Sequence, residues 1–420
     1  MLGWDVNGRR AAGALALAAC VSVACSAAAG GRGKRMEELG FEVKLDVVHR
    51  GLSPDFCWFH PRCAAVPGAG RNGKPAAILT LQKHLRVSDH YSGLYVMRSD
   101  DLGETWTGPE ERPELAWVRE PDGVDIAVAD VTPGWHARTR RLIAIGAQVR
   151  YGGSGEKLED RPRSHQTAYA VHDPKTGEWS RWKTLQVPAG EQFNFARCAC
   201  AQWLVKADGT VLLPCYIGRN ATEPYSVTVV QCTFDGKELA YLRHGDVLSL
   251  DVVRGLCEPS LAYFQARYYL TLRNDVKGYV TVGDDGLHYR PIQPWTFDDG
   301  AELGSYNTQQ HWVAHSEGLF LAYTRRGANN DHIPRNRAPI FMARVDPERL
   351  CVLRATERAL IPERGAMLGN FGACAINEKE SWVTDAEYIM GTQPDPRGAD
   401  GSVFAARVIW GKANRSKAPR

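Results

Sequence analysis

The chain has 420 residues, with 51 Lys and Arg against 48 Asp and Glu, a formal charge of +3. That near-balance argues against a nucleic-acid binder driven by bulk charge, which needs a basic stripe to displace counterions. A hydrophobic share of 44% with 24% charged residues is enough to bury a large core, and it excludes disorder, collagen and a polytopic membrane protein.

At the N-terminus, Arg9-Arg10 precede an apolar, alanine-rich stretch from Ala11 to Ala24, and small residues follow through Ser26-Ala27-Ala28-Ala29-Gly30. This is the pattern of a cleaved export signal over 1–29. The protein is therefore expected outside the cytoplasm: periplasmic, extracellular or lipid-anchored. The apolar stretch is short for a bilayer crossing. Leu17-Ala18-Ala19-Cys20 has the look of a bacterial lipobox, which leaves a lipid on Cys20 open as the one membrane link. The folded part is expected over 36–411. The basic residues Lys412, Arg415, Lys417 and Arg420 mark 412–420 as a loose tail.

Between these ends, few stretches have helical periodicity. Short alternating or apolar runs recur instead, at 76–81, 93–98, 141–148, 167–172, 210–216, 226–234, 262–272, 279–282, 319–324, 340–345, 382–384 and 403–410. They are rich in Val, Ile, Tyr and Thr and bounded by turn residues, which predicts strands. The fold class is all-β: a sandwich, a barrel or a propeller. Nine cysteines follow residue 29, most in strand-like apolar contexts and none in a C-x-x-C pair. Free buried thiols are expected, with a Cys57–Cys63 bridge left open and no metal site or cofactor assigned. The literal G-x-G-x-x-G at 68–73 leads into Lys74-Pro75 and a strand, so it has no helix on which to seat a phosphate.

One hairpin narrows the choice. Ser99-Asp100-Asp101-Leu102-Gly103-Glu104-Thr105-Trp106 fits S-x-D-x-G-x-T-W completely. Asp101 can accept bonds from amides of its own turn, Gly103 supplies a positive φ, and Trp106 packs beneath. Val282-Gly283-Asp284-Asp285-Gly286-Leu287-His288-Tyr289 keeps Asp284, Gly286 and an aromatic; Asp173-Pro174-Lys175-Thr176-Gly177-Glu178-Trp179 is a more degraded copy. Such Asp-box hairpins recur in β-propellers. Three copies far apart imply repeated blades, and the length of 36–411 suits a six-bladed β-propeller.

With these motifs the chain resembles the sialidases (exo-α-neuraminidases). Pro61-Arg62-Cys63-Ala64-Ala65-Val66-Pro67 falls where sialidases carry an x-R-I-P element, though Ile-Pro is absent. The resemblance makes Arg62 the first of three arginines gripping a sugar carboxylate. Between the strand at 79–81 and the first hairpin, it makes Asp89 the general acid/base, with Lys83 or Arg86 as basic neighbour. Cys257-Glu258-Pro259-Ser260, followed by Tyr268-Tyr269-Leu270-Thr271-Leu272-Arg273, gives Glu258 as partner base and Arg273 as second arginine. Arg337 is the best third, with Arg335 behind it. Planar guanidinium groups suit a carboxylate held bidentately, and a protonated aspartate can supply the leaving oxygen with its proton.

The family's tyrosine nucleophile, however, corresponds to Phe371 in Gly369-Asn370-Phe371-Gly372. Either Tyr306 or Tyr388 serves instead, or water attacks directly, or the chain binds without hydrolysing. The polar run Tyr306-Asn307-Thr308-Gln309-Gln310-His311-Trp312 adds Tyr306, Gln309, His311 and Trp312 as candidates for recognising sugar hydroxyls. The expected function is exo-acting hydrolysis of a terminal acidic sugar, sialic acid first, from a glycan or glycoconjugate. The alternatives are a non-hydrolytic glycan-binding propeller, or another glycosidase or lyase on the same fold. No nucleic-acid partner is expected, and the oligomeric state is left open.

Overall fold

The computed structural model describes residues 39–158, 165–220 and 224–419. The expected export signal lies outside them. Among the described residues, no helix is long and apolar enough to cross a membrane.

The described residues are all-β, and their strands form five sheets in a propeller-like arrangement. Each sheet is largely a meander of consecutive strands, as short turns between antiparallel neighbours dictate. The first runs through Phe56–Val66, Ala76–Leu85, Tyr95–Ser99 and Thr107–Glu111. A ten-stranded sheet follows, from Val118–Arg119 to Leu239–His244. Its two halves join only through a short parallel pairing, Phe195 opposite His165 and Ala196 opposite Gln166. The next sheet begins with Cys257–Phe264 and Arg267–Arg273, and the five-stranded one after it with His311–His315 and Gly318–Tyr323. The last is closed by both ends of the fold: Phe41–Arg50 pairs antiparallel with Ser402–Trp410, placing Phe41 opposite Trp410.

Because each sheet shows both faces to neighbours, the core is divided into clusters between sheets. Trp58, Leu79, Leu81 and Met97 of the first sheet pack on Trp382 and Val403 of the last. Ala262, Tyr269 and Val280 meet Leu319, Leu321 and Val345 of the following sheet. Strands buried on both faces read as continuous apolar runs rather than alternating ones, as Val211-Leu212-Leu213 does.

The hairpin at 99–106 forms as its residues predict. Thr105 donates its backbone N–H to Asp101 Oδ1 at 2.9 Å and its hydroxyl to Oδ2 at 2.6 Å, while the Gly103 N–H donates to Ser99 Oγ at 2.8 Å. Gly103 has φ 85°, and a Cβ there would stand 3.0 Å from the Trp382 ring, so any other residue would be strained on both counts. At 282–289 the expected acceptor, Asp284, is displaced by its neighbour: Asp285 Oδ1 takes the Leu287 and His288 N–H groups, both at 2.8 Å.

All nine cysteines of the described residues are free, so Cys57 and Cys63 are not bridged. The C-terminal segment is held against the fold rather than hanging loose. Asn414 accepts the Ser316 N–H at 2.9 Å and donates to the Ala314 carbonyl at 3.0 Å, and Ala207 donates to the Pro419 carbonyl at 2.7 Å.

Candidate functional site

The strands facing the centre carry a repeated irregularity. Pairing slips between Phe59 and Arg62, between Ala129 and Thr132, and between Cys257 and Ser260. A left-handed residue occupies each slip: His60 at φ 51°, Asp130 at φ 58° and Glu258 at φ 42°. Cys200, at φ 53°, follows the strand Phe195–Arg197 and donates its N–H to the Asp130 carbonyl at 3.1 Å. Holding an L residue in this region costs on the order of 1–2 kcal/mol, and such residues gather at functional sites. All four line one cavity of about 330 Å³.

The cavity is strongly cationic. Lys157, Arg197, Arg254, Arg273, Arg335 and Arg337 line it, against the carboxylates of Asp89, Asp130 and Glu258. Asn307 organises two of the arginines. Its side-chain oxygen accepts from Arg273 Nη2 at 2.7 Å, and its carbonyl accepts from Arg337 Nε at 3.2 Å and from Nη2. Arg273 Nη1 donates to Glu258 Oε1, leaving Glu258 Oε2 buried with no hydrogen-bond partner among the described residues. Burial alone would lower Arg273, but the Glu258 carboxylate holds it well above its ordinary value. Burial, then the like charges of Arg273 and Arg335, push Arg337 down to about 9, which leaves it cationic at neutral pH.

Asp89 stands on the loop after Ala76–Leu85, at φ 56°. Its backbone is pinned by Tyr151, whose hydroxyl donates to the Asp89 carbonyl at 2.8 Å, and by His84 Nε2, which accepts the Asp89 N–H at 3.2 Å. The carboxylate takes the Tyr91 hydroxyl at 3.1 Å and Lys157 Nζ at 3.2 Å. Burial pushes Asp89 up, but the Lys157 charge and these two bonds win, and it lies below its ordinary value. It is therefore an ionised carboxylate at neutral pH, not a ready acid. His84 is driven by burial to about 4 and stays neutral.

Of the residues expected from the sequence, Asp89, Glu258, Arg273 and Arg337 meet at this cavity, and Arg335 joins them. Arg62 does not line it. Its side chain is 1% exposed, and all three guanidinium nitrogens lack a hydrogen-bond partner among the described residues. Lys83 is turned away onto the rings of Phe56 and Tyr95, 4.6 and 4.7 Å from their centroids. Arg86 pairs with Asp55 on the surface at 2.7 Å.

Gln309, His311 and Trp312 are buried in a polar layer off the cavity. There His311 bonds Ser260 Oγ at 2.8 Å and the Phe371 carbonyl at 2.9 Å, and Trp312 Nε1 donates to the Ser260 carbonyl at 2.9 Å. These residues join neighbouring sheets and are not placed to touch a ligand in the cavity. Tyr306 also lies off it, donating to Asn336 Oδ1 at 2.7 Å, whereas Tyr388 lines it. Phe371 is wholly buried in the core, and its neighbour Asn370 is the residue that reaches the cavity.

Several lining residues escaped the sequence reading, chiefly His60, Asp130, Cys200, Arg197, Arg254 and Lys157. Asp130 had a local signal, a lone carboxylate inside the apolar run Ile126-Ala127-Val128-Ala129-Asp130-Val131. Lys157 and the arginines had none.

No protein-family profile matches the sequence, and no curated protein matches it. Solved structures do. A protein of unknown function from Dyadobacter fermentans superposes with a TM-score of 0.55 at 14% identity, covering 87% of this chain and 99% of that one. Trypanosoma rangeli sialidase in complex with sialic acid gives a TM-score of 0.54 at 11% identity, over 88% of this chain and 59% of that one. The K499G mutant of NanB sialidase from Streptococcus pneumoniae gives 0.58 at 11%, over 87% and 70%. The chain thus spans little more than half the length of the trypanosomal enzyme. At these identities the likeness establishes architecture: an all-β, propeller-like chain with a sialidase-like fold. Activity and substrate do not follow from fold.

Proposed function

We propose that this is a six-bladed propeller whose central cavity binds a terminal carboxylate-bearing sugar of a glycan and hydrolyses its glycosidic bond, sialic acid being the first candidate. The parallel pairing of Phe195–Ala196 with His165–Gln166 would mark the boundary between two blades fused into the ten-stranded sheet. The observation carrying the reading is the pair Arg273 and Arg337, oriented by one asparagine and facing the same space as Asp89. Two fixed guanidinium groups suit a carboxylate's two oxygens.

Asp89 would protonate the leaving oxygen. A bound sugar carboxylate brings negative charge into the cavity, which favours protonation of Asp89. Glu258 would be the partner carboxylate, with Tyr388 or a water as the attacking group. Export across the membrane fits a glycan substrate.

The test is turnover of a fluorogenic sialoside by wild type and Asp89→Asn. Turnover lost in the variant supports the acid role, and equal turnover ends it. A second reading, glycan binding without hydrolysis, draws on two facts: Asp89 is held ionised, and Phe371 lies in the core. Calorimetric binding of free sialic acid with no turnover of any sialoside would favour it. Release of a neutral sugar would favour another glycosidase.

A further inference from the structure

His60 and Asp130 lie in two separate strands and Cys200 in the loop after a third, and nothing in the sugar-binding reading uses them. Their donor atoms converge. His60 Nε2 is 2.8 Å and Cys200 Sγ 2.9 Å from the same atom, Asp130 Oδ1, and one ligand atom from each residue lies within 4.8 Å of the other two. A Cys–His–Asp nucleophilic triad requires the histidine between thiol and carboxylate. Here the carboxylate is in the middle, so the order is wrong for that chemistry.

We propose that these three side chains form a site for one divalent transition-metal ion of the zinc type. One nitrogen, one sulfur and one oxygen is a donor set that zinc accepts and that calcium and magnesium, which take oxygen, do not. Zinc bonds of about 2.0–2.3 Å in tetrahedral geometry put ligand atoms roughly 3.3–3.8 Å apart. The observed separations to Asp130 Oδ1 need to open by less than about 1 Å to reach that geometry.

Cys200 is also the one cysteine among the cavity's lining residues; Cys198, Cys215 and Cys232 sit in an apolar cluster instead. All three candidate ligands hold left-handed backbone conformations, φ 51°, 58° and 53°, so their side chains are aimed by the fold rather than by the ion. Three protein ligands leave a fourth position, and the cavity that all three line can supply a water or a ligand oxygen there.

The exchange balances. As the ion enters, the Cys200 S–H bond breaks, an S–metal bond forms and the proton leaves to solvent. In the empty site Nε2 carries the proton that His60 donates to Asp130 Oδ1, so binding through Nε2 moves that proton, by way of solvent, to Nδ1. Thiolate and carboxylate together offset the ion's double charge, so the loaded site is neutral where the empty one carries the single negative charge of Asp130. His60 Nδ1 finds no acceptor among the described residues, and such outer partners are worth about 10–100-fold in metal affinity. The site is therefore expected to bind more weakly than one with a full outer shell.

The test uses the full chain, stripped by a chelator, dialysed and titrated with Co²⁺ and then Zn²⁺. Expected are one equivalent of Co²⁺, visible bands of four-coordinate intensity, a near-ultraviolet thiolate-to-cobalt band, and loss of all of these when Zn²⁺ displaces the cobalt. Cys200→Ser should remove the near-ultraviolet band, and His60→Gln should weaken binding about 10-fold or more. Cys57→Ser, at an equally buried thiol, should change neither. Absence of the thiolate band in wild type, or its persistence in Cys200→Ser, overturns the proposal. If Cys200→Ser does not fold by circular dichroism, His60→Gln is read in its place, and unchanged cobalt affinity there overturns it equally. None of these readouts depends on sialoside turnover.

Discussion

The Lys157 ammonium lies 3.2 Å from Asp89 Oδ2, across 68 positions of chain. It is the largest influence opposing the burial of Asp89, and it holds the carboxyl below its ordinary value. Replacing Lys157 by Met should raise the Asp89 midpoint, read by carboxyl-carbon NMR on the folded protein. An unchanged midpoint would show that the Tyr91 hydroxyl, not the cation, sets it. The sign for stability follows. A depressed carboxyl contributes stability above its unfolded value, and that contribution is lost as pH falls through the folded value. With the Asp89 side chain 53% exposed, solvent screens the pair, so the stability change should be small, under about 1 kcal/mol. If the cavity hydrolyses sialosides, the activity optimum of Lys157→Met should move to higher pH.

Arg273 and Glu258 form the buried counterpart, both side chains nearly enclosed. Removing only the cation leaves an uncompensated carboxylate whose second oxygen already has no partner among the described residues. Arg273→Ala is expected to cost about 3–5 kcal/mol, seen as a lowered denaturation midpoint. Arg273→Lys keeps the charge but loses the planar fork that reaches Glu258 and Asn307 together, so it should fold better than Arg273→Ala and still bind free sialic acid more weakly than wild type. Equal stability of wild type and Arg273→Ala would remove the ion pair from any account of the site.

What could be read in advance divides along physical lines. Asp89, Glu258, Arg273 and Arg337 stand beside short motifs that resemble those of sialidases; that resemblance singled them out, and the fold brings all four to one cavity. Lys83 failed by one position. Side chains alternate along a strand, so Lys83 falls on the Phe56 and Tyr95 side while its neighbour His84 reaches the cavity. Arg62 is buried beside the register slip at His60 and does not line the cavity, which no spacing announces. His60, Asp130 and Cys200 meet only because two strands and the loop after a third are brought together in the fold. Their separation along the chain, and their left-handed backbones, left no pattern to match.

Asp385 makes a pH dependence measurable. It is wholly buried, and its two oxygens accept the Gly369 N–H at 2.7 Å and the Ala386 N–H at 2.8 Å. Burial outweighs these bonds and the Arg62 charge and raises it to about 7. A raised carboxyl keeps its proton in the folded state over a range where the unfolded chain has lost it. Its contribution to stability therefore falls as pH climbs from about 4 to about 7 and levels off above. The span corresponds to at most about 4 kcal/mol for this one group. Asp385→Asn should flatten that slope in urea denaturation across the same window. It should also lower stability on the acid side, because an amide has a single acceptor for two N–H groups. A slope unchanged by the substitution would assign the acid-range dependence elsewhere.

Phe371 offers the sharpest comparison with sialidases. If only a missing hydroxyl separated this chain from a tyrosine-dependent enzyme, Phe371→Tyr would restore it. The packing argues otherwise. Phe371 is fully enclosed with Leu368, Val383 and Phe404, and its ring meets His311 edge-on at 4.9 Å. A hydroxyl added there enters a filled space, costing about 1–3 kcal/mol in overpacking, with a similar amount if the group finds no partner. It also remains away from the cavity that Asn370, one residue earlier, does reach. Phe371→Tyr should therefore lower the thermal midpoint and leave sialoside turnover no higher than wild type. Unchanged stability together with increased turnover would mean that residue 371 can swing into the cavity, and the attacking group would then have to be sought there rather than at Tyr388 or water.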